Sequence, residues 1–358
     1  MWMLPLLMAG LLAAQAAQAE LSRPSFAEFL AGIKTEALSR GIRPEIVDSA
    51  LAGIEEPSAV VIERDRSQAE VIQTLEQYLK QRLTLTTVAT GREMLTRHHD
   101  LLEEIAATYH VPPTLIVSIW GFESNFGRFS GTRPTIAALA TLAWDPRRSA
   151  LFRHELFDAL EILNRGDIDL THMQGSWAGA MGQTQFMPSS YLRFAEDYDG
   201  DGHRDIWSTP ADIFASIANY MHGNGWADGA TWGREVSVPA EVRRRISNEV
   251  ERRDGPCQAR RDMSAVLPAA RWRDLGVRAM NGDPLPDDTP NASLVNGESR
   301  SFLVYKNYDA LLEYNCAHSY AIGVALLTDA LTPGGPPVAK AAARKTRRPA
   351  KRRASRKS

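Results

Sequence analysis

From about residue 25 to residue 228 the apolar side chains recur every three or four positions, and this helical period constrains the fold more than any other feature of the chain. Phe26, Phe29, Leu30 and Ile33 fall on one helical face behind Ser25, a residue type whose hydroxyl caps helix N-termini, and Ile72, Leu75 and Leu79 continue the period. Pro112-Pro113 and Pro210 stand where new helices are expected to start, because proline lacks the N–H that a first turn leaves unpaired and already holds a helical φ. Residues 229–307 read differently. Pro, Gly, Asn and Asp separate short apolar runs there, and Glu235–Val238 and Ser301–Tyr305 are predicted to be strands. A last helix is predicted over Ala310–Leu331, stopped by Pro333-Gly334-Gly335. The expected class is therefore mainly α, with an N-terminal helical region at 20–91, a core at 92–228, a small α+β insertion at 229–307 and a helix at 308–332 that returns to the core. No internal repeat is visible in the sequence.

With 358 residues, 44% of them hydrophobic, the chain can bury a large core. Its formal charge of −2 hides an asymmetry: residues 334–358 hold ten Lys or Arg and no acid, which leaves 31 basic against 43 acidic residues, or −12, on residues 1–333. An acidic body argues against a specific nucleic-acid partner, whose footprint should be positive. The tail, Lys and Arg interleaved with Ala, Pro and Ser, cannot build a core and is predicted to be disordered. At the other end, a short apolar run ending in Ala17-Gln18-Ala19 predicts a secretory leader, residues 1–19, with no cysteine behind it to carry a lipid. Later stretches are too short or too polar to span a bilayer. Only Cys257 and Cys316 are present, and an even count in an exported chain predicts one disulfide, two buried thiols being the alternative.

Two segments carry chemistry. The first, Val111 to Gly127, contains one acid. If a helix starts near Pro113, then Ile116, Ile119 or Trp120, and Glu123 share a face, so Glu123 joins the apolar side of the helix. Desolvation there raises its proton affinity, as a general acid near neutral pH requires. The alternative is a carboxylate at a helix end that reaches solvent or Arg128. The second, Gly175 to Tyr191, combines glycines at 175, 179 and 182, which let backbone approach a ligand, with Gln183, Gln185 and Ser190 as hydrogen-bonding groups and Phe186 and Tyr191 as ring faces. That set suits carbohydrate.

Together, Glu123-Ser-Asn-Phe-Gly127 and Gly179-Ala-Met-Gly-Gln-Thr-Gln-Phe-Met-Pro-Ser-Ser-Tyr191 resemble the lytic murein transglycosylase B family, with the likeness running from about 25 to 331. The resemblance implies a lysozyme-like helical core, a periplasmic location, and action on the peptidoglycan glycan between N-acetylmuramic acid and N-acetylglucosamine. It implies a catalytic Glu123, with Ser124, Gln183, Gln185, Phe186, Tyr78, Tyr220, Tyr314, Asn315 and Tyr320 along the substrate. It implies a monomer with glycan strands, and other cell-wall enzymes, as partners. No catalytic cofactor is expected.

A structural calcium ion is expected nevertheless. Asp197-Tyr-Asp-Gly-Asp-Gly-His-Arg-Asp205 sets acids at positions 1, 3, 5 and 9 of a calcium loop, with glycine at 6 and the His203 carbonyl at 7. Ser208 occupies position 12, where a bidentate Glu belongs, and the resembling family closes such a loop with a later acid, here Asp212. The expected ligands are thus Asp197, Asp199, Asp201, His203 and Asp212.

Ordinary glycosidases need two flanking carboxylates, and neither motif supplies a second one beside Glu123. The resemblance implies a non-hydrolytic reaction that ends in 1,6-anhydromuramic acid, which a single carboxyl can serve if the substrate helps. The rival readings are a goose-type lysozyme-like hydrolase, which would release reducing ends, a non-catalytic glycan-binding protein, and a calcium-dependent adaptor.

Overall fold

The computed structural model describes residues 24–67 and 73–335. The expected leader, the tail beyond Gly335 and Ile72 lie outside the described residues. Among the described residues seven helices come first: α1 (Phe26–Ser39), α2 (Pro44–Leu51), α3 (Ala59–Ser67), α4 (Leu75–Arg82), α5 (Leu85–Arg97), α6 (His99–Tyr109) and α7 (Pro113–Ser124). The strand β1 (Arg133–Pro134), the helices α8 (Thr135–Trp144) and α9 (Ser149–Arg165), and the strand β2 (Gln174–Gly175) follow. Next are α10 (Pro188–Phe194) and α11 (Pro210–Gly223). The smaller region holds β3 (Gly233–Ser237), α12 (Ala240–Glu249), α13 (Gln258–Asp262), α14 (Ala269–Leu275), β4 (Arg278–Ala279), β5 (Ser293–Asn296) and β6 (Ser301–Val304). The described residues close with α15 (Lys306–Tyr314) and α16 (His318–Leu331). Among the described residues no helix is long and apolar enough to cross a membrane.

The capping signals act as their chemistry requires. Ser25 and Glu28 form a reciprocal capping box on α1, and Pro113 and Pro210 sit at the first turns of α7 and α11. α7 is apolar on every side and accordingly buried on every side, packed against α5, α11 and α16. Its crossing with α16 is close because Gly323 leaves room for the Phe122 ring: a Cβ at 323 would stand 2.6 Å from it.

The larger sheet is antiparallel in the order β4-β3-β6-β5, with Val236 opposite both Ala279 and Ser301 and Leu294 opposite Leu303. Its two faces serve two cores. Val295, Phe302 and Val304 join the main helical core, whereas Val236, Leu294, Leu303 and Tyr305 join Ile246, Trp272, Leu275 and Val277 in a second cluster.

One prediction needs correction. The last helix is broken: α15 ends at Tyr314, and Asn315-Cys316-Ala317 separate it from α16. Cys316 in the break is joined to Cys257, with Cα atoms 6.4 Å apart.

Candidate active site

Glu123 occupies the last turn of α7. The helix ends there because Asn125, Phe126 and Gly127 all take left-handed backbone conformations, with φ of 51°, 58° and 80°. Two of these are not glycine, and such residues cost about 1 kcal/mol or more each unless the surroundings hold them. Ser124 supplies part of that hold. It is fully buried, donating to the Trp120 carbonyl (3.0 Å) and accepting from Gly127 N–H (3.0 Å). Expected to touch substrate, Ser124 instead spends both hydrogen-bonding functions on the turn that aims its neighbour.

The Glu123 side chain keeps some contact with solvent but is desolvated at its carboxyl. Burial pushes its pKa up from 4.5 to about 7, against the opposing pull of the Tyr320 hydroxyl and the Arg82 guanidinium. Four phenols from four helices converge on it: Tyr78 of α4, Tyr220 of α11, Tyr314 of α15 and Tyr320 of α16. Each is pushed up first by its own burial and also by the negative charge of Glu123, Tyr78 and Tyr220 being partly relieved by nearby Arg82 and Arg193. Tyr314 and Tyr320 stack with centroids 6.3 Å apart, and Phe122 packs edge-on to Tyr320 at 6.0 Å. The broken last helix makes this possible, since Tyr314 ends one helix and Tyr320 begins the other. Asn315 in the break is exposed.

The glutamine-rich segment lies beneath these rings and is tied to them. The Tyr314 hydroxyl donates to the Thr184 carbonyl (2.8 Å). Gln183 is half-buried, and both ends of its amide are taken: it accepts from Trp120 Nε1 (2.7 Å) and donates to the Trp207 carbonyl (2.7 Å). Phe186 is fully buried under Tyr220 and Tyr314, at 5.4 and 5.8 Å, so its ring supports the site and offers no face to a ligand. Tyr220 is itself almost covered, its hydroxyl donating to the Glu313 carbonyl (2.6 Å). Gln185, left-handed at φ 51° and half-buried, donates to the Gly182 carbonyl (2.9 Å). The three glycines serve the protein's own packing rather than a ligand: side chains at 175, 179 and 182 would meet Ala180, Leu139 and Ile206. Tyr78, Gln183, Gln185, Tyr314 and Asn315 are the partly or fully exposed members of the expected set around Glu123, Gln183 with its amide already committed.

Sequence reasoning missed Arg82. It follows Tyr78 by four residues on α4, donates from Nη2 to the Phe122 carbonyl and lies 5.3 Å from the Phe122 ring. The signal was the i, i+4 pairing of an arginine with a site tyrosine on one short helix.

The carboxylates of Asp197, Asp199 and Asp212 gather with ligand oxygens within 4.8 Å of one another. Asp212, only 1% exposed, accepts from Tyr198 N–H (2.8 Å) and Asp205 N–H (2.7 Å), yet burial, with Asp199 beside it, pushes its pKa up to about 6. An all-oxygen set with a buried carboxylate that still needs a counter-charge fits a hard divalent cation. Asp201 stands outside this trio, its carboxylate accepting from His203 N–H (2.8 Å). Asp205 turns to the Trp207 and Ser208 N–H groups. The half-open, mainly apolar cavity of about 520 Å³ between Leu95, Trp226, Trp232 and Leu331 has no lining residue in common with Glu123 and its phenols.

A single acid, desolvated at its carboxyl, stands at a helix end on a lysozyme-like fold, ringed by tyrosines and braced by a glutamine-rich loop. This chain belongs to the transglycosylase SLT domain family, whose model matches residues 25–329. It is 40% identical over 153 residues to the membrane-bound lytic murein transglycosylase B of Escherichia coli K12, a stretch that spans 42% of each chain. Among solved structures, SltB3 of Pseudomonas aeruginosa in complex with NAG-anhNAM-pentapeptide superposes with a TM-score of 0.77 at 39% identity, covering 87% of this chain and 80% of that one. The Escherichia coli lytic transglycosylase Slt35 in complex with calcium superposes with a TM-score of 0.70 at 26% identity, covering 87% and 94%.

Proposed function

We propose that this chain is a peptidoglycan lytic transglycosylase that cuts the β-1,4 bond between N-acetylmuramic acid and N-acetylglucosamine and leaves 1,6-anhydromuramic ends. The observation that carries this reading is the solitary Glu123. Among the described residues the groups that act on its proton are a phenol and a guanidinium, not a second carboxylate, so the two-carboxylate routes of ordinary glycosidases lack a partner there. Held near pH 7, Glu123 is present in both protonation states where one residue must serve as acid and then as base. Glu123 protonates the leaving glycosidic oxygen while the muramyl N-acetyl carbonyl stabilises the positive anomeric carbon. The Glu123 carboxylate then takes the proton of the sugar's C6 hydroxyl, whose oxygen bonds to C1. No water is consumed. Pseudomonas SltB3 was captured with an anhydromuramyl peptide, a product of the same kind.

In this reading Tyr78, Gln185, Tyr314 and Asn315 meet the glycan, while Ser124, Gln183, Phe186, Tyr220 and the buried Tyr320 set their positions. Asp197, Asp199 and Asp212 would hold a structural Ca²⁺, with the His203 carbonyl the further expected ligand, while the Asp201 carboxylate is turned to His203 N–H; the ion would neutralise charge between α10 and α11 and take no part in bond cleavage. The leader directs the chain to the periplasm, where its substrate lies.

Glu123→Gln tests the assignment, since the amide keeps the shape of the side chain and cannot pass a proton. Muropeptide release from purified sacculi should fall by roughly 100-fold or more with the circular dichroism spectrum unchanged. Activity within a few-fold of wild type would refute it.

A further inference from the structure

Arg82 is exposed at the end of α4, and among the described residues it forms no ion pair with a carboxylate. Its contacts are spent on the surroundings of Glu123. Nη2 donates to the Phe122 carbonyl, the guanidinium covers the Phe122 ring at 5.3 Å, and its charge holds down the proton affinity of the Tyr78 phenol. The Phe122 carbonyl belongs to the peptide unit that leads into Glu123. It is one of the carbonyls a helix end leaves unpaired, since the turn into left-handed backbone removes its usual donor. A cation there also meets the negative end of the α7 dipole. The other groups facing Glu123, namely Tyr78, Tyr220, Tyr314 and Tyr320, are neutral phenols. Arg82 is the cation whose charge reaches the carboxyl.

We propose that Arg82 is a positioning residue for the reaction: it fixes the peptide unit that carries Glu123 and offsets the negative charge Glu123 acquires on giving up its proton. This rests on the reading of Glu123 as the acid. In a mechanism with one carboxyl, that charge appears and disappears within each turnover, and no second ionised group shares it. A fixed cation beside the carboxylate favours the first proton transfer without competing for the sugar. An arginine suits this better than a lysine, because its planar guanidinium can hold the carbonyl while lying over the Phe122 ring.

The test uses the full chain on purified sacculi, with kcat and KM measured against pH for wild type, Arg82→Met, Arg82→Lys and Glu123→Gln. Loss of Glu123's proton should set the basic limb of the kcat profile. In Arg82→Met the limb should move to higher pH by about half a unit, and kcat should fall roughly tenfold with KM little changed. Arg82→Lys should keep the limb near its wild-type position and recover part of kcat, which a purely structural brace would not do. Arg82→Gln replaces Arg82→Met if melting curves show that the latter is unfolded. A limb that stays in place in the neutral variants, or a loss confined to KM, would overturn the proposal. If Glu123→Gln keeps wild-type rates, the acid assignment itself fails and the proposal falls with it.

Discussion

At the scale of the residue, the site is a contest over one proton. Burial holds the proton on Glu123 up to about pH 7 from an ordinary 4.5, while Tyr320 and Arg82 pull the other way. Folding stability must follow. The folded chain keeps a proton that the unfolded chain releases above pH 4.5, so the stability this group contributes is full below pH 4.5 and is lost as pH rises through about 7. Glu123→Gln carries no such cost. Its melting temperature relative to wild type should therefore rise by several degrees between pH 4.5 and 7.5, as differential scanning calorimetry can measure. A difference that stays flat across that range would mean that the carboxyl is well solvated. The apolar face that places Glu123 was legible from the spacing Ile116, Ile119 and Trp120. The inward turning of Ser124, Gln183 and Phe186 was not, because their residue types suit a sugar as well as they suit a strained turn. The left-handed backbone at 125–127 decides the use of Ser124, and the Trp120 and Trp207 partners and the Tyr220 and Tyr314 rings decide those of Gln183 and Phe186.

At the scale of the element, loops between helices carry the arrangement. The run from Asp197 to Asp212 bridges α10 and α11, and α11 delivers Tyr220 to the site. With three carboxylates drawn together, one of them buried, chelation should destabilise the fold, since an ion held by the native state alone contributes RT ln(1 + [L]/Kd). The melting midpoint should fall on adding EDTA and return with excess Ca²⁺ but not with equal ionic strength of NaCl. An unchanged midpoint, together with no calcium by elemental analysis, would contradict the assignment. The loop was visible in the sequence from its alternating acids. The orientation of Asp201 was not, since alternation fixes which residues lie near a centre and says nothing about which N–H groups claim their oxygens first. The break at Asn315-Cys316-Ala317 was hidden for a related reason: Ala310–Leu331 keeps its apolar period across the break, and periodicity alone does not register a three-residue interruption.

At the scale of the whole molecule, two cores share one sheet, and a covalent link crosses between the smaller region and the end of the chain. Alternation along β6 sends Phe302 and Val304 to one core and Leu303 and Tyr305 to the other. The Cys257–Cys316 bridge closes a loop of 59 residues that contains most of this region. Chain entropy assigns such a loop about 4 kcal/mol at most. Cys257→Ala with Cys316→Ala should lower the unfolding free energy by a large part of that, measured by urea titration, and weaken activity because Cys316 sits between Tyr314 and Tyr320. A double variant as stable and active as wild type would show that the sheet alone holds the break. The mainly helical class could be read from period and proline placement. The two-faced sheet could not, because strands this short carry too few alternating positions to reveal both faces.

The account stands or falls on the bond that forms at C1. Purified sacculi digested with the wild-type chain, the released muropeptides analysed by mass spectrometry before and after borohydride, measure this directly. The account predicts that the new muramyl ends are lighter by one water than hydrolysed ends and resist reduction, as 1,6-anhydro sugars must. New ends that carry the added water and are reduced by borohydride would show that Glu123 activates water, and would contradict the single-carboxyl mechanism.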